Sequence, residues 1–422
     1  MLTWVLVDLA LRNLRRHLRR TVLTGSAMVV GGAVLVFSFT LDDGSHEQWI
    51  DSGVRLGTGH VTVERPEYRM SRRLDDRLTA DIRRAAEQAL ESPEIASLVI
   101  ATSARLGING LASSAEGARP ARVVAVDPTA EADFGTFDDQ LIEGRYLEPG
   151  DELAACVGDG LAASLQLDVG SRFVVQAQDT GREIAGQLLR VVGIFRSGVP
   201  AVDGTLIHIP LDTAANWLGS AGDVTSVGVV LDDSGATGRV AEHLEHALVD
   251  TITAGDARVL AWRESDPALA AAIAIDSFAS YVIHGFLFVI IAFGIVNTVL
   301  MSVMHRHREF GVLQALGLTP RQTAAVVLIE GLTLSTVSGL AGVGLGLTGM
   351  WFFFGDGLDM SALMGEMTLS GAVVDPVVVP RFLPWRIGQI TAFILCIGIA
   401  ASLYPAWRAA RIDVTGAMKF DR

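Results

Sequence analysis

Four runs in this sequence carry no Asp, Glu, Lys or Arg over a length that can cross a bilayer, and they constrain the fold more than any other feature. They are residues 21–41, 278–304, 331–355 and 387–407. About 20 apolar residues span the hydrocarbon core, where every backbone N–H and C=O must be paired within its own segment. Each run is therefore expected to be a helix. The 422 residues are 50% apolar and 19% charged, and the charges are concentrated outside these runs. The expected fold is a membrane protein with four transmembrane α-helices at 21–41, 277–304, 323–354 and 387–407. A large α+β extracytoplasmic domain at 42–276 is inserted between the first and second spans.

Charge placement orients the spans. Residues 1–20 hold five Arg against Asp8, and 305–325 hold Arg306, Arg308 and Arg321 against Glu309. Residues 406–422 hold four bases against Asp413 and Asp421. By contrast, 42–276 hold 38 acidic and 19 basic residues, and the 355–386 loop is also net acidic. Basic loops stay on the cytoplasmic side. Both termini, including a 408–422 tail, and the 305–322 segment are thus expected in the cytosol, with 42–276 and 355–386 outside. Such an acidic surface disfavours nucleic acid as a partner.

The first run is longer than the roughly 7–15 residues of a signal-peptide core, and Phe37-Ser38-Phe39 lacks a small-x-small cleavage pattern. It reads as a retained anchor. Ahead of it, 1–20 form an amphipathic helix. Trp4, Val7, Leu11, Leu14 and Leu18 face the membrane, and Arg12, Arg15, Arg16, Arg19 and Arg20 sit at the cytoplasmic surface. Cys156 and Cys396 fall in different compartments in this topology, so no disulfide is expected.

The outer domain reads as mixed. Arg72 to Leu90 places Leu74, Leu78, Ile82, Ala86 and Leu90 on one helical face, and Glu242 to Leu248 reads as a second helix. Strands are expected at Ala121 to Val126, Phe173 to Gln176, Leu189 to Phe195, Leu206 to Ile209 and Val224 to Leu231. Little there suggests chemistry. Gly57-Thr58-Gly59-His60 lacks a third glycine and a following helix, so a turn is preferred to a nucleotide loop. His208, His243 and His246 read as solvated surface residues, and Asp42, Asp43 and Glu47 as an acidic stalk. No catalytic residue and no metal site is assigned.

The sole lysine, Lys419, follows no Gly-rich turn, so the chain holds no Walker A loop. If ATP drives it, the ATPase is a partner, and a cytosolic surface must dock that partner. The best candidate is a short helix over Arg306 to Leu316. Phe310, Leu313 and Leu316 form an exposed apolar stripe with Val312 beside it, flanked by Arg306, Arg308 and Glu309, ended by Gly317 and suited to a groove. The competing reading lays this helix in the membrane interface.

Three segments carry a family resemblance. Arg308-Glu309-Phe310-Gly311-Val312-Leu313-Gln314-Ala315-Leu316-Gly317 resembles the R-E-x-G-[IV]-L-[RK]-A-[LI]-G segment of permease subunits in the type VII, MacB/FtsX-like class of ABC transporters, with Gln314 where a base is usual. Leu9 to Thr21 is similar to the A-x-R-N-L-x-R-x-x-x-R-T segment that leads into the family's first span. Tyr404 to Asp413 is similar to the closing P-A-x-x-A motif. Gly57 to Val61, Gly144 to Leu147, Val192 to Phe195 and Asp203 to Pro210 look like the lipoprotein-releasing, LolC/LolE-like branch.

That resemblance implies a second permease, identical or related, and a dimer of cytosolic ABC ATPases that binds ATP and Mg; this chain itself holds no cofactor. ATPase closure would push the Arg306 to Leu316 helix and move the outer domains. The substrate implied is a lipoprotein or another hydrophobic molecule, with a possible periplasmic acceptor. Two alternatives stay open: an FtsX-like signal relay to a partner such as a cell-wall hydrolase, and MacB-like efflux. Within the spans, His284, Asn297 and Glu330 are intramembrane polar groups. Asn297 is expected to make an interhelical hydrogen bond, and Glu330 to pair with a base such as Arg12 or Arg408. Gly339, Gly342 and Gly346 form a small-residue face for packing within one permease or between two.

Overall fold

The charge-free runs fold within helices longer than the runs themselves, because the flanking helical sequence holds no proline except at a first helical position. In a computed structural model of the chain, residues 8–10, 12, 16, 18–359, 368–369, 372–373 and 377–412 are described. In chain order, helix α1 is Leu18–Leu56, followed by strand β1 at Val61–Glu64 and helix α2 at Ala80–Leu90. Strands β2 to β9 are Val99–Ser114, Gly117–Val126, Leu141–Gly144, Ala154–Gly158, Arg172–Gln178, Ile184–Phe195, Leu206–Pro210 and Ser226–Leu231. Helix α3 is Thr237–Ala247, β10 is Arg258–Ala261, and helices α4 to α7 are Pro267–His305, His307–Ala315, Pro320–Phe354 and Pro384–Ala410. Four of these helices, α1, α4, α6 and α7, are long and apolar enough to cross a membrane.

The described fold has two compact units. One comprises Met1–Ser45, Ile275–Met360 and Val377–Arg422, the other His46–Ala274 and Ser361–Pro376. Helix α1 does not stop at residue 41, nor does α4 begin at 277. Residues 42–56 contain no proline, and Ile50 and Val54 bury against Trp262 and against Leu269 and Ile273 at the start of α4.

In the helical unit, close approach depends on small residues. A Cβ on Gly342 of α6 would lie 2.7 Å from the Val29 carbonyl oxygen and 3.2 Å from the Gly32 Cα of α1. Gly346 meets Ala33 and Val36 of α1 in the same way, and Gly339 meets Ile394 of α7. The glycine face is thus used within one chain. Gly342→Leu is expected to force α1 and α6 apart at a cost of about 1–3 kcal/mol. A lowered thermal midpoint of the detergent-solubilised chain tests this; an unchanged midpoint would show that the helices are not packed so closely.

In the second unit, one mixed sheet runs β10-β1-β9-β2-β3-β8-β5-β7-β4, with β6 bridging β2 and β7. Strand β2 serves both halves, antiparallel to β9 over Val99–Arg105 and to β3 over Leu106–Ser114. Helices α2 and α3 cover one half, burying Ala86, Leu90, Val240 and Leu244 against Val61, Val227 and Val229. The Leu161–Leu165 turn of helix and Phe173, Leu189 and Ile207 fill the other half. The Arg72 to Leu90 expectation is corrected: Arg72 sits in the left-handed region at φ 51° and Leu74–Asp76 form a 3-10 turn, so the long helix starts only at Ala80. The Gly57 to His60 stretch is a turn. Gly59, at φ +89°, has no room for a Cβ, which would lie 2.6 Å from the Val229 carbonyl oxygen.

His208 is not a surface residue. All five side chains of β8 are buried, and the imidazole Nδ1 sits 2.6 Å from the Tyr146 hydroxyl. Burial, with help from Arg105 and Arg122, holds its pKa well below the usual histidine value; burial likewise lowers that of His60. The unfolded chain therefore binds protons that the folded one refuses, so stability is lost as pH falls below the unfolded value near 6.5. Between pH 7 and 5 the thermal midpoint is expected to fall, and His208→Gln to flatten part of that slope. An identical slope in the variant would show that His208 is protonated in the fold.

Candidate coupling site

Helix α5 is short because Arg306 interrupts α4 before it, while Gly317 ends it at φ +105°, a backbone turn that glycine makes without strain. Thr319 then caps α6. Its hydroxyl accepts from Gln322 N–H and the Gln322 amide oxygen accepts from Thr319 N–H, with Pro320 at the first helical position. This punctuation was legible from the sequence; the packing of α5 was not.

Phe310 does not belong to an exposed stripe. It is fully buried in a cluster with Met28, Val299, Val303, Val327 and Ala406, and Gly311 is buried beside it. Leu313 is half-buried against the same cluster. Four apolar residues in nine can only be shared between two surfaces, and the larger ring takes the core. The exposed face instead carries Arg308, Glu309, Val312, Ala315 and Leu316, with Leu316 at 80% exposure. Gly317 is exposed at its end.

Arg306 does not flank an exposed stripe either. Its guanidinium is buried, donates from Nη1 to Glu330 Oε1 at 2.7 Å and from Nε to Glu309 Oε2 at 3.0 Å, and stacks 4.6 Å over the Phe310 ring. Glu330, expected opposite Arg12 or Arg408, pairs with Arg306 instead. Gln314 adds a hydrogen bond from its amide nitrogen to Thr323 Oγ1 at 3.1 Å. The α4–α5 junction is thereby fixed to α6 by the buried Arg306–Glu330 pair, and α5 by the Gln314 amide and the Phe310 ring. The signal available in the sequence was that Glu330 is the sole acidic residue of α6. Its partner 24 residues earlier had no local pattern to mark it.

The remaining site residues fall elsewhere. Arg12 pairs with Asp8 at 2.9 Å, Arg16 comes within 3.9 Å of Glu309, and Arg12, Arg16 and Arg19 are exposed. Arg15, the Arg20 side chain, Trp4, Val7, Leu11, Leu14 and the Asp413–Arg422 tail with Lys419 lie outside the described residues. His284 is buried, bonded to Ser38 Oγ at 2.8 Å and stacked on Phe39. Asn297 is exposed into an apolar groove with Met28, Ile291 and Met301 and, among the described residues, makes no interhelical hydrogen bond. The acidic stalk is bonded within each unit: Asp43 accepts from Arg386 and Asp42 from Ser280, while Glu47 accepts from Ser234.

Comparison with known proteins matches both units. The model of the FtsX-like permease C-terminal family covers residues 281–414, and that of the MacB-like periplasmic core domain covers residues 21–247, more than half of the chain. The lipoprotein-releasing system transmembrane protein LolC of Xylella fastidiosa (strain Temecula1) is 23% identical over 434 residues, covering 98% of each chain. The macrolide export ATP-binding/permease protein MacB 1/2 of Paracoccus denitrificans is 25% identical over 97% of this chain and 58% of its own length. A solved extracellular domain of the ABC-type transporter YknZ from Gram-positive bacteria aligns over 47% of the chain at 14% identity and a TM-score of 0.35. With a MacB-like core domain and an FtsX-like C-terminal region on the same chain, the protein belongs to the MacB/FtsX/LolC-type ABC transporter permeases.

Proposed function

We propose that this chain couples ATP hydrolysis by a separate cytosolic ATPase dimer to movement of an extracytoplasmic domain at His46–Ala274, and that the complex extracts lipoproteins or other hydrophobic substrates from the bacterial inner membrane. A second permease completes it, both termini lie in the cytosol, and ATP and Mg are held by the ATPase. The observation that carries the coupling is the Arg306 cluster. A helix tethered to its neighbours by a buried pair moves with them, because separating Arg306 from Glu330 would break a buried charged hydrogen bond in a largely apolar cluster.

A push on the exposed face of α5, at Val312, Ala315 and Leu316, is therefore carried into α6 through Glu330 and into α4 through the adjoining His305. Helices α1 and α4 contribute residues to both compact units, so displacement of α4 has a covalent route to the outer domain. Lipoproteins are favoured as substrate because the similarity to the LolC relative runs over 98% of each chain. The membrane-spanning unit also offers apolar space, a cavity of about 490 Å³ lined by Phe39, Phe288, Val289 and Phe393.

Affinity purification of the intact chain in mild detergent, with mass identification of what is retained, tests the reading. An ATPase together with an acylated protein is the expected result. An ATPase with only a soluble wall hydrolase would replace export by signal relay, and retention of no ATPase would remove the coupling itself.

A further inference from the structure

The outer-domain unit holds a recess that the coupling scheme does not use. Where β2 passes from its pairing with β9 to its pairing with β3, a pocket of about 180 Å³ opens. Its charged lining is Arg72, Arg105 and Arg122, and no carboxylate lines it. Only Arg105 is matched: it donates from Nε to Glu131 Oε2 at 3.0 Å and makes a second, shorter bond to Oε1. Among the described residues, Arg72 and Arg122 have no ion pair and no side-chain hydrogen bond.

That is unusual in a stretch with two acids for every base. Unpaired guanidiniums repel one another, and a chain so rich in carboxylates places none among them. The recess is built to keep them there. Tyr68 donates to the Gly107 carbonyl at 2.8 Å, and Arg72 stacks 5.4 Å from its ring while held at φ 51°, a strained backbone for a non-glycine residue. A Cβ on Gly107 would come 2.6 Å from the Tyr68 hydroxyl, so that close approach depends on glycine. Arg122 lines the recess with an exposed side chain. Tyr146 and His208 are both held neutral by burial and bring no negative charge.

Two unmatched cations and one matched cation around a small cavity call for a compact ligand of about two negative charges. Guanidinium forks suit tetrahedral oxyanions. We propose that this recess binds a phosphoryl group, either free phosphate or the phosphate monoester of a small molecule or lipid head group. The site is independent of the coupling helix and of any substrate inside the membrane.

The test is calorimetric titration of the intact detergent-solubilised chain with sodium phosphate, against sodium chloride at matched ionic strength. Saturable phosphate binding is expected. Arg122→Gln and, separately, Arg72→Gln should weaken it at least about tenfold, whereas Arg119→Gln, on the same strand outside the recess, should leave it unchanged. Arg72→Gln carries the test if Arg122→Gln does not fold. Glycerol 3-phosphate distinguishes the sources: tighter binding than phosphate points to a phosphomonoester, equal or weaker binding to free phosphate. No saturable phosphate response, or equal affinity in the wild type and both variants, would overturn the proposal.

Discussion

Glu330→Ala is expected to destabilise the helical unit by about 3–5 kcal/mol, because it strands the Arg306 guanidinium in an apolar cluster with Glu309 as its remaining partner. The mechanism is desolvation. A buried charge loses its hydration on folding and regains it only through its counter-ion, so removal of one partner costs far more than the pair contributes. Two controls separate this from a cavity effect. Glu330→Gln keeps volume and an acceptor and should lose less. The double variant Arg306→Met, Glu330→Met removes both charges and should recover most of the loss. Thermal midpoints of the intact chain in one detergent provide the comparison. A double variant as unstable as Glu330→Ala would show that packing, not the stranded charge, sets the cost.

Glu131→Ala is expected to cost a similar amount, about 3–5 kcal/mol, in the other unit. Glu131 is 2% exposed, and it accepts from Ser103 Oγ at 2.8 Å as well as from Arg105. Arg105 in turn donates to the Gly57 carbonyl and sits 4.2 Å from the Phe134 ring. The pair thus ties the Pro128–Phe134 helix, strand β2 and the turn after α1 into one cluster. Its loss should appear as a lower thermal midpoint and as new protease cleavage near residues 57–60. Glu94→Ala is the contrast. Its contact with His243 at 3.5 Å is largely exposed on the Glu94 side, and such pairs contribute at most about 1 kcal/mol. Equal losses from the two substitutions would contradict the burial argument.

These two clusters show where the sequence stops being legible. Periodicity and composition marked the four long helices, the strands β3, β6, β7, β8 and β9, the glycine that ends α5 and the threonine that caps α6, because each of those signals is local. The sixteen-residue β2 carries no such local signal. Its run Val99–Ser114 mixes Ser, Gly and Asn with aliphatics, and it is a strand because β9, β3 and β6 all pair with it. Arg306 with Glu330 and Arg105 with Glu131 are contacts across 24 and 26 residues that no spacing rule announces. Phe310 was placed on the wrong face for a related reason. In a helix with apolar residues on two sides, which side is buried depends on what packs against it. His208 shows the same limit in a strand: as the lone imidazole of β8 it reads as polar, and only the neighbouring strands make it a core residue.

The burial of Phe310 decides which substitutions can probe the coupling surface. A charge placed there would disrupt the core, whereas Val312 and Leu316 are exposed and their replacement leaves the Arg306 cluster intact. The most direct measurement is retention of the cytosolic ATPase by the purified chain carrying Val312→Glu and Leu316→Glu, at a thermal midpoint matching the parent. The expected result is a folded permease that no longer retains the ATPase. Undiminished retention by the folded variant would show that the exposed face of α5 is not the surface through which ATP hydrolysis reaches this protein.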